Sequence, residues 1–236
     1  MIPELDLNED ERDLLAGARK FAQEVMLPRG KEAFESGEVP VDVLKQMAEL
    51  GFQGIMAGED WGGSGQSTRF YASLLEELSL ADPTTATTLQ VHVMVTDVYE
   101  RFGTEAQKKE WLPRLTSGEI LGAIAMTEPG AGSDLRNIRT TAVRDGDDYV
   151  INGQKTFITN TGTEISDGMI VLARTGEDDR GRGTFSVFIV PKDTPGFVKG
   201  QRLKKIGWKS MDTREIFFED CRIPASNLVG EPERGL

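Results

Sequence analysis

The chain has 236 residues, 38% hydrophobic and 28% charged, enough apolar material for one large domain or two ordinary ones, with no run near the ~20 apolar residues of a membrane-spanning helix. A formal net charge of −12 disfavours nucleic acid and anionic lipid as partners, yet still permits an anionic small molecule held by a local cluster of donors. One cysteine, Cys221, excludes an intramolecular disulfide, while one histidine, His92, excludes a zinc site built on histidines.

A Ser-His-Asp triad would need His92, and no Gly-x-Ser-x-Gly elbow accompanies it. The chemistry is therefore expected to belong to a bound organic cofactor, with no metal. The amino terminus carries Glu4, Asp6, Glu9, Asp10 and Glu11, unlike a secretory signal or an Arg-rich transit peptide. A cytoplasmic chain, or a mitochondrial matrix chain already processed, is the expectation.

The first half has helical periodicity. Asn8 caps a helix with an acidic first turn, followed by Leu14, Leu15, Ala18, Phe21, Ala22 and Val25 at core spacing, and Pro28 falls just past its expected end. A second helix is predicted from Val41 to Leu50, stopped by Gly51 in a left-handed conformation. Trp61-Gly62-Gly63-Ser64-Gly65 is a loop by composition, and a third helix carries Phe70, Leu74, Leu75 and Leu78 up to the break at Asp82-Pro83. Thr84 to Phe102 is apolar on most faces and predicts a buried central helix. A short helix from Glu105 to Leu115 contains Pro113, which implies an early end or a kink.

From about Ile120 the pattern shifts to strands. Leu121 to Met126 is a short apolar strand, and Asn152-Gly153-Gln154-Lys155 between Tyr149-Val150-Ile151 and Thr156-Phe157-Ile158-Thr159 predicts a hairpin turn. Further strands are expected at Met169–Ala173, Phe185–Val190, Phe197–Lys199 and Glu215–Phe218. Helices followed by strands predict an α+β chain, with an amino-terminal all-helical domain over 1–119 and an antiparallel β-sandwich or barrel domain over 120–236.

The segment Thr127-Glu128-Pro129-Gly130-Ala131-Gly132-Ser133-Asp134 follows the first of these strands. Pro129 fixes φ, and Gly130 and Gly132 let the backbone turn and present amides without a Cβ in the way, as a phosphate or the polar edge of a flavin would require. It is neither a Walker nor a Rossmann fingerprint, and by composition alone it is an ordinary tight loop as readily as a cradle. On the same footing, Phe157 is a strand core residue, Asp212-Thr213-Arg214 a polar turn, His92 a packed core histidine and Cys221 an inert thiol.

Ala125 through Asp134, taken together with Ile151-Asn152-Gly153-Gln154-Lys155-Thr156-Phe157-Ile158-Thr159-Asn160, resembles the acyl-CoA dehydrogenase family. The likeness continues through Phe217-Phe218-Glu219-Asp220-Cys221-Arg222-Ile223-Pro224 and Asn227-Leu228-Val229-Gly230. It includes Trp61 to Gly65, so it spans essentially the whole chain.

The resemblance implies FAD as cofactor, contacted by Ile124, Ala125, Met126, Thr127, Glu128, Pro129, Gly130, Ala131, Gly132 and Ser133 and by Phe157, Ile158 and Thr159. Thr127 and Thr159 would offer hydroxyls to the flavin edge, Thr159 near N5. Phe157 would cover a ring face; many members have Trp there, whose indole N–H is lost here. Ser133, Met211, Asp212, Thr213 and Arg214 would lie on the CoA side.

The implied reaction is α,β-dehydrogenation of an acyl-CoA thioester to the trans-2-enoyl-CoA, with electrons passed to electron-transferring flavoprotein and a homotetramer as the assembly. Relatives continue past the position of Leu236 into a carboxy-terminal helical domain that carries the glutamate base and much of the tetramer interface. No residue here is therefore assigned as the base, and Glu128 is rejected for that role. An acyl-CoA oxidase or a flavin monooxygenase on the same scaffold, or a non-catalytic flavin- or acyl-CoA-binding fragment completed by a partner, are the alternatives.

Overall fold

The computed structural model describes residues 7–236; Glu4 and Asp6 lie outside the described residues. The helical half begins at α1 (Glu9–Phe21), where Asn8 Oδ1 accepts from the Glu11 amide at 2.8 Å and Glu11 reciprocates on the Asn8 amide at 2.8 Å, closing a capping box.

Pro28 does not end this helix. The chain widens into a π-helical turn over Ala22–Met26, with the Leu27 amide bonding to Ala22 O, and then continues as α2 (Leu27–Ser36). The wide turn resets the hydrogen-bond ladder just where Pro28 lacks an N–H, so the proline sits in what is effectively the first turn of a new helix.

After α3 (Val41–Glu49), Gly51 adopts φ 76°, the expected left-handed stop. Next come α4 (Thr68–Ala81), α5 (Pro83–Phe102) and α6 (Glu105–Thr116). Helix α6 runs through Pro113 for three more residues: the proline forfeits one backbone bond, to the Lys109 carbonyl, and the turn after it is closed by the Ser117 amide on Pro113 O at 3.1 Å. Helix α5 is buried along Leu89, His92, Val93 and Thr96, but not all round: Met94 and Phe102 remain 36% and 59% exposed.

Asp82 is itself buried and accepts from the Thr84 and Thr85 amides at 3.0 and 3.3 Å, capping α5 where Pro83 starts it. Asp82→Ala should lower the stability of the chain by about 1–2 kcal/mol, read as a shift in the urea midpoint, with Asp82→Asn recovering most of it. An unchanged midpoint for the alanine variant would refute the cap.

The second half is one eight-stranded sheet: β1 (Ile124–Ala125), β2 (Thr141–Asp145), β3 (Asp148–Thr159), β4 (Met169–Glu177), β5 (Gly183–Val190), β6 (Phe197–Arg202), β7 (Thr213–Pro224) and β8 (Leu228–Val229). The order is β6-β7-β3-β2-β4-β5-β8, with β1 beside β4. Most pairings are antiparallel as expected, but β1–β4 and β2–β4 are parallel, so the sheet is mixed. The strand expected over Leu121 to Met126 shortens to Ile124–Ala125.

The hairpin expected at Asn152-Gly153-Gln154-Lys155 is absent. Those residues lie inside continuous β3, and the chain reverses at Gly146-Asp147 instead, pairing Asp145 with Asp148. Gly153 serves close approach between strands rather than a turn: a Cβ there would meet Thr140 Oγ1 at 2.5 Å.

Each half has its own apolar cluster, around Phe70, Leu74 and Leu78 in the helices and around Ile151, Phe188 and Ile216 in the sheet. A third cluster joins them, with Val95, Tyr99 and Leu112 packed against Ile170, Ile189 and Val229. Burial at this seam fixes α5 against β4 and β5 and so against β1. Among the described residues no helix is long and apolar enough to cross a membrane.

Candidate functional site

The site is assembled from three segments. Strand β1 runs into the loop Met126 to Ser133, closed by Glu128 and Ala131 exchanging backbone hydrogen bonds at 2.9 and 3.1 Å. The loop lies beside the far end of β3, where the Thr156 amide donates to Thr127 O at 2.9 Å and Lys155 Nζ donates to Met126 O at 2.9 Å. The start of β7 lies on the other flank of β3, with Thr159 opposite Thr213 and Ile158 opposite Arg214. Thr127, Phe157, Thr159 and Met211 are thereby brought together.

Phe157 is displayed by a bulge. Lys155 pairs with Ile216 and Ile158 with Arg214, so β3 carries one more residue than β7 over this stretch, and Phe157 takes φ 60°. The bulge interrupts the alternation: Lys155 and Thr156 are both buried, while Phe157 points outward and is 66% exposed. Phe157 is not a core residue.

Ile158 is the opposite case, its side chain turned into the sheet core at 2% exposure. Among the described residues the one hydrogen-bond partner of Thr159 Oγ1 is the Met211 sulfur, at 3.7 Å, a weak acceptor that leaves the hydroxyl available to a better partner. Among the described residues Thr127 Oγ1 has no hydrogen-bond partner, and Gly130, Gly132 and Ser133 are solvent-facing.

Glu128 is a brace beneath the loop. Its carboxylate accepts from the Arg139 and Thr140 amides at 2.7 and 2.9 Å and from Lys155 Nζ at 3.0 Å. Burial works against its ionisation, but these donors outweigh it and hold the carboxyl below its ordinary range. Burial likewise lowers Lys155, against the pull of Glu128. Three donors occupy most of the acceptor capacity of this carboxylate and make it a structural anchor of the loop.

At the start of β7 and just before it, Met211, Asp212 and Thr213 are buried. Asp212 accepts from the Thr161 and Gly162 amides at 3.0 and 2.6 Å and from Arg214 Nε at 2.8 Å, and Arg214 also reaches Gly200 O at 3.1 Å. Asp212 therefore shapes the stretch from within, while Ser133 and part of Arg214 stay at the surface. Next to β1, an open and largely apolar cavity of about 800 Å³ is bordered by Val98, Phe102, Ile124, Met126, Leu172 and Leu236. Cys221 is buried, which pushes its thiol up to about 11 and agrees with an inert role. Among the described residues no cluster of His, Cys, Asp or Glu could hold a metal.

Sequence reasoning missed Lys155, Asn160 and Gly122, which hold the segments together from below. A signal for the first existed: Glu128 is the one acid in the otherwise apolar and Gly-rich stretch from Ile120 to Ser133, and a buried carboxylate needs a counter-ion.

Family models described as the acyl-CoA dehydrogenase N-terminal and middle domains match residues 8–119 and 123–221. A mitochondrial isobutyryl-CoA dehydrogenase of Dictyostelium discoideum is 40% identical over 233 residues, covering 99% of this chain and 55% of that protein. Among solved structures, butyryl-CoA dehydrogenase from Megasphaera elsdenii superposes with a TM-score of 0.90 at 34% identity, covering 98% of this chain and 61% of that one. A glutaryl-CoA dehydrogenase from Mycobacterium smegmatis in complex with FADH2 gives 0.89 at 34% identity, over 98% and 57% of the two chains. The chain spans about half the length of the curated relatives it matches.

Proposed function

The chain belongs to the acyl-CoA dehydrogenase family, and on that premise we propose that it forms the flavin-binding part of an FAD-dependent enzyme that oxidises an acyl-CoA thioester to the trans-2-enoyl-CoA. The carrying observation is Phe157, a large aromatic displayed by a bulge at φ 60° between two available hydroxyls. A non-Gly residue at positive φ costs on the order of 1–3 kcal/mol, a strain kept where function needs the side chain aimed. A flat heteroaromatic with one polar edge fits that surface.

FAD supplies the acceptor for the β hydride. Phe157 would stack against the flavin ring, and the Thr127 and Thr159 hydroxyls would hold its polar edge. Gly130 and Gly132 present their amides at the loop surface without Cβ atoms, while the Ala131 amide donates to Glu128 O at 3.1 Å. Ser133 and the exposed part of Arg214 bind the CoA portion, and Met211, Asp212 and Thr213 shape its wall. The α proton goes to a glutamate outside these residues. Electron-transferring flavoprotein as the acceptor, a homotetramer as the assembly, and the bacterial cytoplasm or mitochondrial matrix as the compartment belong to the same proposal, which rests for these points on the family.

The test is titration of the chain with FAD, followed by visible absorbance, and then anaerobic addition of acyl-CoAs to the protein joined to its family's carboxy-terminal domain. Phe157→Ala should weaken FAD binding about tenfold, the size expected for one aromatic stacking contact. A parent protein that retains no flavin absorbance after excess FAD is removed, and does not perturb the flavin spectrum during the titration, overturns the proposal. Retained flavin that no acyl-CoA bleaches overturns its dehydrogenase part.

A further inference from the structure

Both flavin-side segments are anchored to a single turn of α5. Gly122, two residues before β1, is held on both sides of its backbone: its N–H donates to His92 Nδ1 at 2.9 Å, and its carbonyl accepts from Asn160 Nδ2 at 3.0 Å. The same Asn160 nitrogen donates to Thr88 O at 3.1 Å. Thr88 and His92 are four residues apart, one turn of helix. Two carbonyl partners settle the orientation of the Asn160 amide, because only its NH2 group can donate to both.

Asn160 directly follows Thr159. Its own carbonyl accepts from Ser166 Oγ at 2.8 Å, and its amide donates to Asp212 O at 3.3 Å. It is 1% exposed and takes φ 69°. The left-handed conformation alone asks for Gly or Asn, so a turn requirement would explain the residue type without explaining the side-chain bonds. Those bonds run to α5 and to the segment ahead of β1, which is some forty residues away in sequence. Gly122 also has no room to move: a Cβ there would lie 2.9 Å from the Val95 side chain.

We propose that Asn160 is a positioning residue that locks Thr159 and the Ile124–Thr127 segment to each other through α5, so that flavin affinity depends on its side chain. The flavin part rests on the functional reading above, whereas the mechanical coupling does not. Asn160→Gly is the informative variant, since it keeps the left-handed conformation and removes both donors. Leu78→Ala, deep in the helical core and outside the site, serves as a control for general destabilisation.

Amide deuterium exchange on the whole chain, and FAD affinity with the visible spectrum at saturating FAD, are compared for the parent and both variants. In Asn160→Gly, exchange should rise about tenfold at Gly122–Thr127 as well as at Thr159–Gly162, with FAD affinity falling about tenfold and the flavin bands shifting, as expected for two lost hydrogen bonds. Leu78→Ala should leave the flavin spectrum and affinity unchanged. Exchange that rises only at residues 159–162 overturns the coupling. Raised exchange at both segments with unchanged FAD affinity overturns the positioning role, and a parent that binds no FAD overturns the flavin reading while exchange still decides the coupling.

Discussion

Lys155→Met should destabilise the chain by about 3–5 kcal/mol. The Lys155 side chain is fully buried, and its ammonium meets Glu128 at 3.0 Å and Met126 O at 2.9 Å. Methionine keeps the length and most of the apolar stem, so the change isolates the charge. What remains is a buried carboxylate with two backbone donors and no counter-ion, and removing one partner of a buried pair costs far more than the pair contributed.

Against a whole-domain stability of about 5–15 kcal/mol, that loss would show as a large fall in the thermal midpoint. The double variant Lys155→Met with Glu128→Gln should recover part of it. Recovery stays incomplete because one face of the glutamine amide presents N–H to the backbone N–H groups of Arg139 or Thr140, which now face a carboxylate oxygen. Additive losses in the double variant would refute a coupled pair. Because Thr127 O and Met126 O are both held by this stretch of β3, the loop after β1 should loosen in the single variant as well.

The Lys155 pair marks where sequence legibility ended. Local signals with one physical solution were readable: the Asn8 capping box, the left-handed Gly51, the break at Asp82-Pro83, and the succession of helices and strands. Composition left open whether Thr127 to Ser133 is more than a tight loop and placed Phe157 in the core, whereas the bulge turns Phe157 outward. Tertiary pairing decided what went wrong. Asn152-Gly153 has turn chemistry, but β7 offers β3 a continuous partner, and a second irregularity in their pairing between Ile151 and Gly153 absorbs the glycine.

Once β3 is continuous, Lys155 keeps the period-2 phase of Tyr149 and Ile151 and points inward; the bulge shifts the alternation only beyond it, at Phe157, and no period-2 reading can anticipate where a bulge falls. Pro28 failed as a stop for a related reason, since a π-helical turn is a ladder irregularity without a composition of its own.

The stability of the chain should fall as pH drops from about 6.5 to about 4, with His92 responsible for roughly 3 kcal/mol of the loss. His92 was read from the sequence as a packed core residue, and it is completely buried on α5. Its Nδ1 accepts from the Gly122 amide, so the neutral ring carries its proton on Nε2, which has no hydrogen-bond partner among the described residues. Burial lowers its pKa to about 4, and the nearby carbonyls of Leu115 and Gln53 only partly offset that.

The ordinary value of 6.5 applies in the unfolded chain, so between the two values the unfolded state binds the extra proton and the folded state does not. Stability is therefore full above the unfolded pKa and declines as pH falls toward the folded one, at up to about 1.4 kcal/mol per pH unit. Protonation also removes the lone pair that holds Gly122, so acid loosens the segment leading to β1. His92→Asn separates this residue from the carboxylates that titrate nearby, because Asn Oδ1 occupies the place of Nδ1, accepts from Gly122 and takes up no proton in this range. Urea midpoints of parent and variant, measured from pH 7 to pH 4, should converge as pH falls. Profiles that stay parallel would mean that His92 is already paired in the folded chain and that its burial is not what makes the protein acid-sensitive.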